Sequence, residues 1–142
     1  MYLDSAYVAK YYVNERDAAA VRELIRGAAR VCSSAWALVE VTCVFHRHVR
    51  EGSLSAAQGL ELIDVFRSHV EADLWNLIPV TPALLRRTGT LVRGLPANVP
   101  ARAGDAVHLA TALEAETEIW TNDRHLLAAA AVFGVRGRSV SG

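Results

Sequence analysis

Four carboxylates stand where neither an apolar core nor a solvated surface asks for one. Glu40 interrupts the runs Ala35-Trp-Ala-Leu-Val39 and Val41-Thr-Cys-Val-Phe45. Asp4 closes the short opening segment, Asp105 precedes Ala106-Val-His-Leu-Ala-Thr-Ala112, and Asp123 follows Ile119-Trp-Thr-Asn122. A buried charge without a partner costs several kcal/mol, so such residues need a reason to be there. Taken singly, each has an ordinary use: Asp105 and Asp123 as helix caps, Asp4 as a strand-end turn residue, Glu40 on a helix edge. Together they would repel one another, and Lys10 is the chain's one lysine. Hard oxygen donors gathered in this way suit Mg²⁺ or Mn²⁺.

The elements that must position these residues follow from spacing and punctuation. Met1 to Asp4 reads as a short strand, with Ser5 capping a helix that carries Tyr7, Val8, Tyr11 and Tyr12 on one face. A helical pattern runs from Asp17 to Arg26, and Val31 to Ser33 is a second strand. Ser34 is expected to cap a long helix from Ala35 to Arg50, and Ser55 another from Ala56 to about Leu74, with Leu60, Ile63, Phe66 and Val70 inside. Asn76 to Val80 reads as an edge strand, and Thr81-Pro82 opens a helix to Gly94. Leu95 to Gly104 is expected to be a loop, Asp105 to Glu116 a helix and Glu118 to Thr121 a strand. A helix from Asp123 to Phe133 and an edge strand from Val135 to Val140 complete the chain.

Short strands alternating with helices imply parallel strands, hence a three-layer α/β domain. Ligands of such sheets sit beyond the carboxyl ends of the strands, where strand order reverses. Asp4 and Asp123 fall at strand ends, Asp105 at a helix start and Glu40 in the second turn of the helix after the second strand, so all four can meet at one sheet edge.

Composition narrows the function classes. A chain of 142 residues, 52% of them hydrophobic, predicts one domain over residues 1–142 with a core that needs no disulfide or structural zinc. Fifteen basic against 15 acidic residues exclude a strongly basic nucleic-acid coat. With the four acids set aside, however, basic residues outnumber acids by four, and all but one are arginine, which grips phosphate bidentately. Arg102 and Arg124 flank the acids and are the first candidates for phosphate contacts; Arg47, Arg50, Arg86, Arg87 and Arg93 follow. Cys32 and Cys43 read as reduced core residues. No leader is expected before the first strand, and the longest apolar run, Leu126 to Val135, falls well short of the roughly 20 residues of a membrane span, so a soluble cytoplasmic protein is expected.

Other chemistries fit poorly. His46 and His48 point to different faces of a helix, His69 and His125 are expected on exposed surfaces, and His108 reads as a packed or supporting residue one turn after Asp105. A haloacid-dehalogenase-like phosphatase needs a second aspartate where Ala6 stands, and a phospho-receiver needs a lysine late in the chain. Neither a GxSxG nor a GxxxxGK[ST] motif occurs.

The segments Tyr2-Leu-Asp-Ser-Ala6, Ser34-Ala-Trp-Ala-Leu-Val-Glu40, Arg102-Ala-Gly-Asp-Ala-Val-His-Leu-Ala-Thr-Ala112 and Trp120-Thr-Asn-Asp123 resemble, in order and spacing, the PIN-domain nucleases, and among them the VapC-type toxins of toxin–antitoxin pairs. The resemblance implies a PIN-like α/β/α domain with a short, mainly parallel central sheet. It implies a metal-dependent endoribonuclease in which Asp4, Glu40, Asp105 and Asp123 hold one or two Mg²⁺ or Mn²⁺ ions, with Ser5, Thr121 and Asn122 orienting them. It also implies RNA as substrate, a cognate antitoxin that covers the acids, and a homodimer. A catalytically silent PIN-like module that binds RNA or a partner is the alternative. Gly104 departs from the family pattern and is expected to add flexibility before Asp105, while Gly137 to Gly142 has no assigned role.

Overall fold

A computed structural model describes residues 1–141. Five strands of two residues each run parallel, joined by helices: β1 (Tyr2–Leu3), α1 (Ser5–Tyr12), α2 (Ala18–Gly27), β2 (Ser33–Ser34), α3 (Ala37–Arg50), α4 (Ala56–Glu71), β3 (Leu77–Ile78), α5 (Pro82–Gly94), α6 (Ala103–Glu114), β4 (Ile119–Trp120), α7 (Arg124–Val132) and β5 (Gly137–Arg138). One sheet has the order β1-β4-β5, the other pairs β2 with β3. A parallel bridge from Tyr2 to Cys32 brings the two together, so the strands follow the order β3-β2-β1-β4-β5. That order reverses between β1 and β4, which places the switch point there.

Alternation along β1 divides the core. Leu3 faces one side, with Tyr7, Val8, Val21, Val41, Phe45, Phe66 and Trp75 from the α1–α4 side. Tyr2 faces the other, with Leu109, Ile119, Leu126, Ala130 and Val135 around α6 and α7. This is the expected three-layer α/β/α arrangement, with the acidic segments at the C-terminal ends of β1 and β4.

Helix starts differ from expectation where a different group does the capping. Asp4, rather than Ser5, caps α1: its Oδ1 accepts the Tyr7 N–H at 2.8 Å. Ser34 Oγ accepts the Trp36 N–H at 3.1 Å within a turn, so α3 begins at Ala37 and Glu40 stands in its first turn, not its second. α6 begins at Ala103, two residues before Asp105, with Arg102 at the cap. The Ser55 cap holds, reinforced by a reciprocal bond from the Ser55 N–H to Gln58 Oε1 at 2.8 Å. β3 is shorter than the segment Asn76 to Val80 because Asn76 takes a positive φ of 42° and leaves the strand.

Several burial expectations are corrected. Cys43 is exposed because the apolar run around Glu40 is a helix with one solvated edge, and Cys32, just before β2, is only half-buried. Leu60 is 65% exposed, since α4 buries Gly59 and Phe66 instead. His69 is not a free surface residue: its Nδ1 lies 2.7 Å from the Tyr12 hydroxyl, which also accepts the Trp75 indole N–H at 2.7 Å. No helix among the described residues is long and apolar enough to cross a membrane.

Phe66 is fully buried against Tyr12 and Phe45, whereas Leu60 lies on the same helix in solvent. Phe66→Ala is therefore expected to cost about 3–5 kcal/mol in chemical denaturation. Leu60→Ala should stay within about 0.5 kcal/mol of the parent. Equal losses at the two positions would reject this assignment of the α4 inner face.

Candidate active site

The sequence-predicted acids meet. Asp4, Glu40, Asp105 and Asp123 line one open cleft of about 420 Å³, together with Ser5, Lys10, Arg47, Arg102, His108 and Asn122. They come from four segments that share one structural position, since each lies at the N-terminal end of a helix. Asp4 and Asp123 are the caps of α1 and α7, and Asp105 and Glu40 occupy the first turns of α6 and α3.

Asp4 is the most constrained of them, at 6% exposure. Beyond the Tyr7 N–H on Oδ1, its Oδ2 accepts a short hydrogen bond from the Thr121 hydroxyl. Thr121, fully buried, also accepts the Asp123 N–H on Oγ1 at 2.9 Å, so one side chain ties the first acid to the last. Burial pushes the Asp4 carboxyl above its ordinary range, against the opposing pull of Thr121 and His108. Asp123 Oδ1 accepts the N–H groups of His125 and Leu126 at 2.7 and 3.3 Å.

Glu40 and Asp105 are shifted in opposite directions. Burial raises both, but in Glu40 the hydrogen bond from His108 and the neighbouring Ser5 hydroxyl and Trp36 indole outweigh it and hold the carboxyl below its usual range. Asp105 has no such support. Burial and then the charge of Asp123 push it up, only partly opposed by Arg102 and His108.

The supporting residues divide. Ser5 Oγ lies 2.9 Å from His108 Nε2, at the edge of the acids. Asn122 lines the cleft but bonds away from it, with Oδ1 accepting the Tyr7 hydroxyl at 2.6 Å and Nδ2 donating to Asp17 at 3.1 Å. Ser139 and Val140 join the same network through Asn122 and Tyr7, which gives the C-terminal segment a contact role. Of the arginines, Arg102 and Arg47 reach the cleft, the latter paired with Glu15 at 2.9 Å. Arg124 is exposed outside its lining, and Arg87 pairs with Glu114 at 3.3 Å.

Three participants are not evident from spacing alone. Tyr2 bonds His108 Nδ1 at 2.6 Å, across 106 positions of sequence. The Trp36 Nε1 atom is buried and has no hydrogen-bond partner among the described residues. Gly104 supplies space rather than flexibility, because a Cβ there would fall 2.3 Å from Glu40 Oε1. A glycine immediately before an acidic helix start was the available signal for that close approach.

Among the described residues, no three His, Cys, Asp or Glu side chains converge tightly enough to form a ready metal shell. The reason lies in the bonds just described: Asp4, Glu40 and Asp123 each direct oxygens at protein donors. The donor set nevertheless fits a hard divalent cation, because all four groups are carboxylates on one cleft and the Lys10 ammonium at its rim donates to the Arg16 carbonyl at 2.7 Å rather than to any of them.

A search of curated proteins returns no match. The family model for the PIN domain, generally a nuclease fold that uses divalent metal ions, matches residues 1–132, a span that holds the four acids and Thr121, and on that evidence the chain belongs to the PIN domain family.

Proposed function

We propose that this chain is a Mg²⁺- or Mn²⁺-dependent endoribonuclease acting as the toxin of a toxin–antitoxin pair. The observation that carries this reading is the meeting of Asp4, Glu40, Asp105 and Asp123, from four distant segments, in one cleft at the switch point of the sheet. A bound divalent ion would supply acidification of a water and charge stabilisation at the scissile phosphate.

The chain's own residues do the rest. Tyr7 N–H and Thr121 hold Asp4 in one rotamer, and the α7 N-terminus holds Asp123, so two of the acids are fixed before any ligand arrives. Asp105, with its oxygens less restrained, completes the set from the first turn of α6. Arg102, Lys10 and Arg47 give the rim a positive character that suits an RNA backbone passing over an acidic floor. The exposed Val39, which lines the cleft, and neighbouring Leu38 add an apolar surface for the antitoxin or a second copy of the chain.

RNA cleavage by purified protein with Mg²⁺ or Mn²⁺ tests this reading. Wild type should cleave, EDTA should stop it, and Asp4→Asn or Asp105→Asn should each lose more than the roughly 10–100-fold typical of an outer-shell partner. Wild type that cleaves equally well in EDTA would sink the metal assignment. Absence of cleavage of any RNA offered would favour the silent binding module.

Burial of Asp105 beside the charge of Asp123 also has a stability signature. The Asp105 carboxyl is held above its ordinary value of 3.8, so the folded chain binds more protons than the unfolded one in the window that starts there. Metal-free stability is then full below that window and falls as pH rises through the folded pKa. Asp105→Asn should melt higher than metal-free wild type at pH 7, with the gap closing below about pH 4. Added Mg²⁺ should raise the melting temperature of wild type more than that of the variant. A variant that melts lower than wild type in EDTA at neutral pH would contradict the cost assigned to the buried, crowded Asp105 charge.

A further inference from the structure

Glu40 is the one acid of the four whose carboxylate is held by a histidine ring, and the surroundings of that ring are unusually specific. His108 is 2% exposed and uses both ring nitrogens. Its Nε2 lies 2.8 Å from Glu40 Oε2 and 2.9 Å from Ser5 Oγ, while its Nδ1 lies 2.6 Å from the Tyr2 hydroxyl. A carboxylate only accepts hydrogen bonds, so the Glu40 contact requires the proton on Nε2. The Tyr2 side chain is fully buried, and its O–H needs an acceptor, which a bare Nδ1 supplies. One neutral tautomer satisfies both ends.

The other carboxylate oxygen has a seat of its own. A Cβ on residue 104 would fall 2.3 Å from Glu40 Oε1 and 3.2 Å from Trp36 Nε1. The carboxylate therefore occupies the space that a side chain at Gly104 would need, beside the unpartnered indole N–H of Trp36. Since Glu40 is the far end of a flexible side chain, a methyl group at 104 displaces the carboxylate without disturbing backbone.

We propose that His108, fixed in its Nε2–H tautomer by Tyr2, and the bare Cα of Gly104 together form the seat that positions Glu40 in the cleft. His108 is a positioning residue in this arrangement: it touches Glu40, and through Glu40 it sets where one of the cleft's four carboxylates stands. The proposal rests on the reading of Glu40 as a metal-holding acid for its functional consequence, but not for the tautomer or the steric seat.

The test uses the full chain as wild type, His108→Leu, His108→Gln and Gly104→Ala, with Mn²⁺ binding followed by calorimetry and folding by thermal melts. His108→Leu and Gly104→Ala should each weaken Mn²⁺ binding about tenfold or more. His108→Gln, whose amide can donate near the Nε2 position, should regain most of that loss even if it melts no higher than His108→Leu. Gly104→Ala should still fold cooperatively, because the helix preference of alanine offsets part of the lost Glu40–His108 bond. Folded His108→Leu that binds Mn²⁺ like wild type, or glutamine and leucine variants equally weak, would overturn the proposal. If wild type itself binds no Mn²⁺, the metal reading fails, and the imidazole ¹⁵N spectrum of metal-free protein then decides the seat. A proton on Nε2 with bare Nδ1 supports it, and a proton on Nδ1 overturns it.

Discussion

Asp4 is a carboxylate almost cut off from water, and the ends of two strands are arranged around keeping it there. Parallel pairing of Leu3 with Trp120 sets Asp4 beside the residue that follows β4, and the Asp4 N–H donates to the Trp120 carbonyl at 3.2 Å. Thr121 then reaches Asp4 from across the pair. Loss of this bond would leave a buried acceptor unmatched, a penalty of about 1–3 kcal/mol or more for a charged group. Register, strand order and the position of the first acid are thus one constraint seen three ways.

The same atoms serve fold and site. Asp4 starts α1 and Asp123 starts α7 by ordinary capping bonds, yet both line the cleft. Glu40 and Asp105 sit in the first turns of two further helices, so four helix N-termini turn toward one another. Each carries a partial positive charge, worth about 0.3–1 kcal/mol to a nearby anion. That field lowers the cost of gathering four carboxylates. It does not cancel it, because burial and the charge of Asp123 still push Asp105 upward.

What the sequence made legible was the placement of chemistry at strand ends, and the reason is geometric. An aspartate after a two-residue strand, followed by an apolar helix, has few places to go in a parallel sheet. The four acids, the order of elements and the edge position of β5 followed from that. Starts of helices were less legible where the capping position holds Trp36 or Arg102, neither of which announces a cap. The solvated edge of α3 was hidden because Leu38 and Val39 are apolar but exposed, which made Cys43 look internal. His108 and Tyr2 could not be matched from spacing, since their bond spans 106 positions and depends on the face of β1 that Tyr2 takes toward α6.

Thr121 and Asn122 show how finely side-chain direction decides contacts at the cleft. Both were expected to orient the acids, and they are adjacent. They lie just past the end of β4, where Asn122 forms a bend, and their side chains go to different partners. Thr121 turns inward to Asp4 and the Asp123 N–H, while Asn122 turns toward Tyr7, Asp17 and Ser139. The first therefore restrains carboxylates, and the second ties the C-terminal segment to the cleft wall. A side chain's contacts at such a site are set less by its distance along the chain from the acids than by the direction in which the turn after the strand sends it.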